Sequence, residues 1–415
     1  MNYAADKDFL LNKSQSFCMA PWVHMYVAPD GVASPCCISE FASTPLGVGN
    51  SRNQSLIELV NSEKMNALRV DMLSNTKNAG CVKCYNHEDQ GIRSTRNFFN
   101  IEQSAHFNSA VNATNDNGSL SEFKMRYFDI RFSNICNMKC RSCGSGFSSL
   151  WAQEDNANLV SYAKIIQKDN NKDFLQEVLS QIQNMDLAYF AGGEPLITEE
   201  HYLMLEEMIR QGRTDIRLRY NTNLSNFKFK NKDLLSLWKQ FKHPIMIYAS
   251  IDHYGERAEY IRHGTDWATV ENNFATAKQT PFINLQMNTV VSVFNYLTLK
   301  DFYQYIIDKQ LFVPRDWKYT LYNMSNPDHL SAHILPAEYK ALGKASLFEA
   351  KKLLIDKHYK LEQVTQLDET ARWIESNNTW DSQKEMFRSE TNRLDTIRGE
   401  SFVKTFPELA GLIED

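Results

Sequence analysis

The fold turns on one stretch, Tyr127-Phe-Asp-Ile-Arg-Phe-Ser-Asn-Ile-Cys136-Asn-Met-Lys-Cys140-Arg-Ser-Cys143-Gly144. Its first part, Tyr127 to Phe132, is a short apolar and aromatic run with the composition of a strand. Cys136, Cys140 and Cys143 follow at once in a C-x3-C-x2-C arrangement. Thiolates at this spacing can wrap one face of an iron–sulfur cube, and three of them leave one iron of a 4Fe–4S cluster without a protein ligand. An open corner suits chemistry, whereas a fourth cysteine would suit electron transfer alone. The competing explanations are a zinc knot and three core thiols. Zinc normally takes four ligands, and no His or Cys follows within a few residues of Cys143.

A second motif, Ala191-Gly-Gly-Glu-Pro195, closes the next apolar run, Leu187 to Phe190. C-x3-C-x2-C after one strand and Gly-Gly-Glu-Pro after the next resembles a radical S-adenosylmethionine (SAM) enzyme. The resemblance implies that SAM chelates the open iron through its amino and carboxylate groups. It implies further that the cluster cleaves SAM to a 5′-deoxyadenosyl radical, which abstracts a substrate hydrogen. Many members carry an aromatic residue just before the third cysteine; here Ser142 stands there, so adenine contacts do not transfer.

Length and composition set outer bounds. At 415 residues the chain exceeds one ordinary core. With 43% hydrophobic and 23% charged residues it reads as globular. A net charge of −5 gives no electrostatic footprint for nucleic acid. No apolar stretch reaches membrane-span length and no secretory signal is visible at the start, so a soluble, cytoplasmic protein is expected. Eight cysteines in close pairs and triplets point to metal in a reducing compartment rather than to a disulfide scaffold.

A further cysteine set precedes the triplet. Cys18 leads into Trp22, Val23, Met25, Tyr26 and Val27, a Pro29-Asp30-Gly31 turn follows, and the chain returns through Val32 to Cys36 and Cys37. Two strands joined by that turn form a hairpin that brings Cys18 and Cys36 towards one another. Cys81-Val-Lys-Cys84 offers a C-x2-C pair, and Ile57 to Met72 has helical apolar spacing. The set resembles the auxiliary-cluster pattern of SPASM and twitch domains. That implies a 4Fe–4S cluster on Cys18, Cys36, Cys81 and Cys84, with structural zinc as the alternative because C-x2-C is also a zinc spacing. Here the set lies ahead of the signature triplet, whereas such domains commonly follow it. Cys37 is left unallocated, as a rival to Cys36 or as a hydrogen donor.

From 123 onwards strand-like and helix-like runs alternate. Helical spacing at Phe174–Ile182 precedes a strand at 187–191, and a helix around Tyr202–Ile209 stops at Gly212. Strands at Ile216–Tyr220, Ile245–Ile251, Ile283–Val291 and Trp317–Tyr322 follow, with helices between them around Leu234–Phe241, Trp267–Ala277 and Phe302–Ile306. Strict alternation implies βαβ units and a parallel sheet, and six strands are too few for a closed eight-stranded barrel. The resemblance implies an α/β fold: a partial (β/α)6 TIM-like barrel with an N-terminal twitch-like iron–sulfur lobe and a helical C-terminal tail. The expected divisions are 1–100 for the lobe, 101–122 for a linker, 123–325 for the barrel and 326–415 for the tail. The tail is expected to cap the barrel or to cover its substrate mouth.

Ligands of parallel α/β folds collect at the C-terminal strand ends, where both motifs lie. Asn221 and Ser250–Asp252 end other strands, and Arg262 follows shortly. An arginine offers a forked, permanently charged partner for a carboxylate. By resemblance, Ser250 and Arg262 would hold the SAM carboxylate, Gly192, Gly193 and Glu194 its amine, and Asn221 would line the site. Asn288 and Asn295 are further pocket candidates. Asp252 could reach the pocket or cap the next helix, and His263 is expected to be structural. The resemblance implies a peptide substrate, modified by oxidation, cross-linking or epimerisation, with a small polar metabolite as the alternative. It also implies an electron donor such as flavodoxin or ferredoxin. A non-catalytic zinc or iron–sulfur interaction protein is the alternative of another class.

Overall fold

The computed structural model describes residues 6–43, 47–89, 91, 93–160, 164–166, 172–311, 319–359 and 361–413. The chain packs as two units: Met1–Cys136, Ser145–Tyr220 and Asp233–Ile245 form the first, and Asn137–Gly144, Asn221–Lys232 and Met246–Asp415 the second.

In the first unit His24–Val27 (β1) and Val32–Ser34 (β2) form the expected hairpin, with Tyr26 opposite Ser34 and Val27 opposite Ala33. Asp30 closes the turn by accepting the Val32 amide at 3.0 Å. Gly49–Asn50 (β3) extends the hairpin. The helical pattern over 57–72 resolves into two helices, Leu56–Val60 (α1) and Glu63–Leu73 (α2). The break is written locally. Ser55 and Glu58 form a capping box on α1, and Ser62 accepts the Met65 amide to start α2. Val82–Asp89 (α3) carries Cys84, and Thr95–Glu102 (α4) starts from a Ser94 cap.

Tyr127–Ile130 (β4) follows, then Lys172–Ser180 (α5), Leu187–Phe190 (β5), Glu199–Arg210 (α6), Arg217–Thr222 (β6) and Leu234–Trp238 (α7). Within this unit the strand order is β6-β5-β4-β1-β2-β3, and β1, β4, β5 and β6 run parallel. The hairpin of the front lobe therefore continues the sheet, with Tyr26 beside Asp129. The expected boundary at residue 100 does not separate two bodies. Nor is 101–122 an open linker. It contains the helix Phe107–Asn112, buries Phe107, Val111 and Leu120, and receives the Trp22 indole N–H on Thr114 Oγ1 at 2.8 Å. Its polar residues suggest a loop, but apolar residues placed among them are buried, with Phe107 against the Phe17 ring at 5.5 Å.

One face of this sheet is aromatic. Phe128, Phe190 and Tyr220 stack at centroid distances of 5.5 and 5.1 Å, and the Tyr220 hydroxyl meets the Trp238 indole N–H and His201 Nε2, each at 3.0 Å. The other face carries Tyr26, Asp129, Tyr189 and Arg219.

The second unit contains Ile245–Ser250 (β7), Gly255–Ile261 (α8), Trp267–Gln279 (α9), Ile283–Val291 (β8), Leu299–Asp308 (α10) and Tyr319–Asn323 (β9). Its strand order is β7-β8-β9, with β8 and β9 parallel. The expected sixth strand is β9; Trp317 and Lys318 lie outside the described residues. β7 was expected to be buried on both faces, but burial alternates along it, with Met246, Tyr248 and Ser250 half-buried. Three long helices follow, Ala337–Asp356 (α11), Leu361–Glu375 (α12) and Trp380–Arg398 (α13), and then the short helices Phe402–Thr405 and Pro407–Leu412. The architecture is α/β, built of successive strand–helix units of the partial (β/α)6 kind with a helical C-terminal region.

Arg69 locks the front of the first unit. It is fully buried, and its guanidinium donates to the carbonyls of Pro21, Gly118 and Val60 at 3.0, 3.0 and 2.7 Å. Burial lowers its pKa to about 9. Arg69→Met removes the donors but leaves three carbonyls enclosed, at about 1–3 kcal/mol for each acceptor left unsatisfied. Urea unfolding should show a loss of that order.

Candidate active site

The triplet begins in the first unit and ends in the second, and each part has its own supports. In the first, Asn134 is fully buried and braces the approach to Cys136. Its side chain donates to the Ser145 carbonyl at 3.0 Å and accepts the Ile166 amide at 2.8 Å. The Cys136 amide donates to Ser149 Oγ at 3.2 Å. The Gly-Gly-Glu-Pro loop is stitched to the same segment, because the Glu194 amide donates to the Ile135 carbonyl at 2.7 Å. That approach requires glycine at 193: a Cβ there would lie 2.1 Å from the Ile135 oxygen. Gly192 has φ +103° and packs on the Arg131 side chain, where a Cβ would meet Cδ at 2.8 Å. The Glu194 carboxylate turns inward and caps the following turn at the Leu196 amide, 3.1 Å away. What this loop offers a ligand is therefore backbone.

In the second unit the chain from Lys139 to Cys140 pairs antiparallel with Arg262–His263, Cys140 standing opposite Arg262. Arg262 Nη1 approaches Cys140 Sγ at 3.7 Å, and its Nε lies 2.9 Å from Asp252 Oδ2. Burial alone would weaken the Arg262 charge; Asp252 and Cys140 reverse that and hold its pKa above the ordinary range. Burial raises Cys140, and Arg262 opposes the rise. The Cys143 amide closes a turn onto the Cys140 carbonyl at 2.9 Å. Asp252 is no helix cap: its other oxygen accepts the Val290 amide at 2.8 Å, so it orients Arg262.

The remaining expected residues divide clearly. Ser250 ends β7 half-buried, and Asn221 sits half-buried near the end of β6. Asn288 is buried, and its Oδ1 makes no hydrogen bond among the described residues. Asn295 is a brace, donating to the Asp252 and Val290 carbonyls and accepting the Ser292 amide.

Two groups escaped the sequence reading. Arg141, between the second and third cysteines, is buried and donates to Asp395 Oδ1 and Glu400 Oε2, both at 2.6 Å. Its guanidinium lies 3.7 Å over the Tyr260 ring. Glu400 also takes His263 Nδ1 at 2.6 Å. The C-terminal helices thus latch the cysteine loop itself, beyond the expected general cap. In the first unit, Asp129 on β4 pairs at 3.3 Å with Arg131 just beyond the strand, and Arg219 on β6 pairs with Glu102. Asp129 and Tyr189 follow Tyr26 across the sheet, and Tyr189 stands beside Arg219. The alternation of Tyr127, Asp129 and Arg131 with Phe128, Ile130 and Phe132 carried this signal.

The front cysteines line one cavity: Cys18, Cys36, Cys81 and Cys84 surround it with Met72 and Phe99. Cys37 is exposed and absent from that lining; its electrostatic neighbours are Asp129 and Arg131, with Cys84 a weaker one. This favours Cys36 as the member of the set. None of the eight cysteines is joined in a disulfide. Burial raises Cys18 and Cys36, and pushes Cys81 up to about 12; metal coordination would deprotonate such thiols. Among the described residues no group of three His, Cys, Asp or Glu side chains is placed to hold a single metal ion. The fit to a cluster rests on the all-sulfur donor set around a shared, buried cavity.

Residues 18–85 match the SPASM family, described as an iron-sulfur cluster-binding domain. No curated protein matches the chain. Among solved structures, native anSMEcpe with bound AdoMet and Cp18Cys peptide is 16% identical, with a TM-score of 0.37 over 55% of this chain and 60% of that one. SuiB of Streptococcus suis bound to precursor peptide SuiA is 13% identical, with a TM-score of 0.36 over 74% of this chain and 65% of that one. The chain thus spans under two thirds of either structure, and likeness at that level carries no argument about activity. In motif order and front domain, the chain resembles radical SAM enzymes with a SPASM-type domain.

Replacing Asp395 by Asn together with Glu400 by Gln strips the buried Arg141 of both counter-charges, at about 3–5 kcal/mol. The double variant should melt earlier and retain less iron after anaerobic reconstitution, and iron analysis beside thermal unfolding checks both.

Proposed function

We propose, for a chain whose residues 18–85 match the SPASM iron–sulfur family, a radical SAM enzyme that abstracts a hydrogen from a peptide substrate. The observation that carries this reading is the bond joining the two signature loops, Glu194 amide to Ile135 carbonyl at 2.7 Å. It ties the Gly-Gly-Glu-Pro turn to the residue preceding Cys136, at the C-terminal ends of neighbouring parallel strands. Cys136, Cys140 and Cys143 would hold the open-cornered 4Fe–4S cluster; with SAM bound, that group supplies one-electron cleavage of SAM and hydrogen abstraction.

The chain's own residues do the rest. Arg262, fixed by Asp252, offers positive charge beside Cys140 for the SAM carboxylate, with Ser250 near the same strand end. Gly192 and Gly193 bring backbone close enough to receive the amine, and Asn221 lines the site. Cys18, Cys36, Cys81 and Cys84 would hold an auxiliary 4Fe–4S centre, in keeping with the family's description. The polar sheet face with Asp129, Arg131, Tyr189 and Arg219 suits a substrate rich in hydrogen-bonding groups, such as peptide backbone. Oxidation, cross-linking and epimerisation are the outcomes this chemistry allows, and a flavodoxin- or ferredoxin-like donor in the cytoplasm would supply the electron. No helix among the described residues is long and apolar enough to cross a membrane.

Anaerobically reconstituted protein, given dithionite and SAM, should form 5′-deoxyadenosine, and Cys140→Ala should abolish it. Arg262→Gln should raise the SAM concentration needed by about tenfold, the worth of one charge-assisted hydrogen bond. Absence of 5′-deoxyadenosine from fully loaded wild type would instead support a non-catalytic iron–sulfur protein.

A further inference from the structure

Helix α4 lies beyond the 18–85 stretch of the front domain, yet it grips the loops that carry the front cysteines. Arg96 in its first turn is buried. Its Nη1 donates to the carbonyls of Ser14 and Phe17, both at 2.9 Å, and its Nε to Glu88 Oε1 at 2.9 Å. Nη2 pairs with the second oxygen of Glu88. Phe17 immediately precedes Cys18, and Glu88 stands on α3 one turn beyond Cys84. One guanidinium therefore fastens the Cys18 loop to the helix carrying Cys84. Asn100, a turn further along α4, completes the grip by accepting the Met19 amide at 2.9 Å and donating to the Phe17 carbonyl at 3.0 Å.

Arg96 also belongs to the cavity. It lines the space shared by Cys18, Cys36, Cys81 and Cys84, whereas Glu88 does not. The Arg96 charge acts on Cys18, Cys81 and Cys84, while Glu88 opposes it at Cys84. Nearby charge, hydrogen bonds to sulfur and exclusion of solvent are the levers that set an iron–sulfur potential. A cation in a buried site stabilises the more negative, reduced state of such a centre.

We propose that Arg96 is the positioning residue of the auxiliary centre and the fixed charge that makes this centre easier to reduce. This rests on the reading that Cys18, Cys36, Cys81 and Cys84 hold an iron–sulfur cluster, and the test separates the two.

The full chain with Cys136, Cys140 and Cys143 changed to Ala, reconstituted anaerobically with iron and sulfide, isolates the front centre. Its iron content and EPR-monitored midpoint potential are then compared with the same chain carrying Arg96→Gln or Arg96→Lys. Arg96→Gln should bind less iron and move the potential to more negative values. Arg96→Lys keeps the charge but cannot reach Ser14, Phe17 and Glu88 together, so it should lose iron while staying near the parent potential. Should Arg96→Gln load no iron at all, the positioning role is supported and the lysine variant decides the charge. Parent-like iron and potential in Arg96→Gln, or a potential in Arg96→Lys as negative as in Arg96→Gln, overturns the proposal. A parent that takes up no iron–sulfur centre overturns the reading beneath it.

Discussion

A buried guanidinium between two cysteines governs the geometry of the signature loop. Arg141 cannot leave its site without taking a counter-charge from both Asp395 and Glu400, and losing both carboxylates would strand the buried guanidinium. Such mutual dependence is the usual behaviour of buried ion pairs, whose desolvation cost is recovered only while every partner stays in place. Tyr260 under the guanidinium and His263 on Glu400 extend the lock to the segment that presents Arg262 to Cys140. The position of the cysteine loop thus depends on residues that lie far away in sequence.

The first unit solves the corresponding problem with glycine instead of charge. Gly193 lets backbone meet backbone at Ile135, and Gly192 leaves room for Arg131. Side chains at either position would push the two signature loops apart. The front lobe then adds its hairpin to the same sheet through β1 and β4, so the cysteine-bearing lobe shares a continuous hydrogen-bonded framework with the Gly-Gly-Glu-Pro strand.

Much of this was legible in the chain. Period-two runs such as Ile216–Tyr220 and helical runs such as Phe174–Ile182 marked strands and helices because burial on one face imposes those periods. The hairpin followed from Pro29-Asp30-Gly31. The cysteine spacing and the Gly-Gly-Glu-Pro turn marked the site, since both act over a few residues. What stayed hidden was long-range. Nothing near Arg141 names Asp395 or Glu400, and nothing near Arg96 names the carbonyls of Ser14 and Phe17. The 101–122 segment looked like a linker because its polar residues outnumber the few apolar ones that seal it. Asp252 had two equally plausible local roles, and only the fold paired it with Arg262.

Under the proposed function, the two cysteine sets would serve different parts of one reaction. Iron and acid-labile sulfide in anaerobically reconstituted protein test it most directly, with wild type set against the variant that has Ala at Cys136, Cys140 and Cys143. About eight irons should fall to about four, the arithmetic of two 4Fe–4S centres. About four falling to none, with zinc retained by Cys18, Cys36, Cys81 and Cys84, would contradict it.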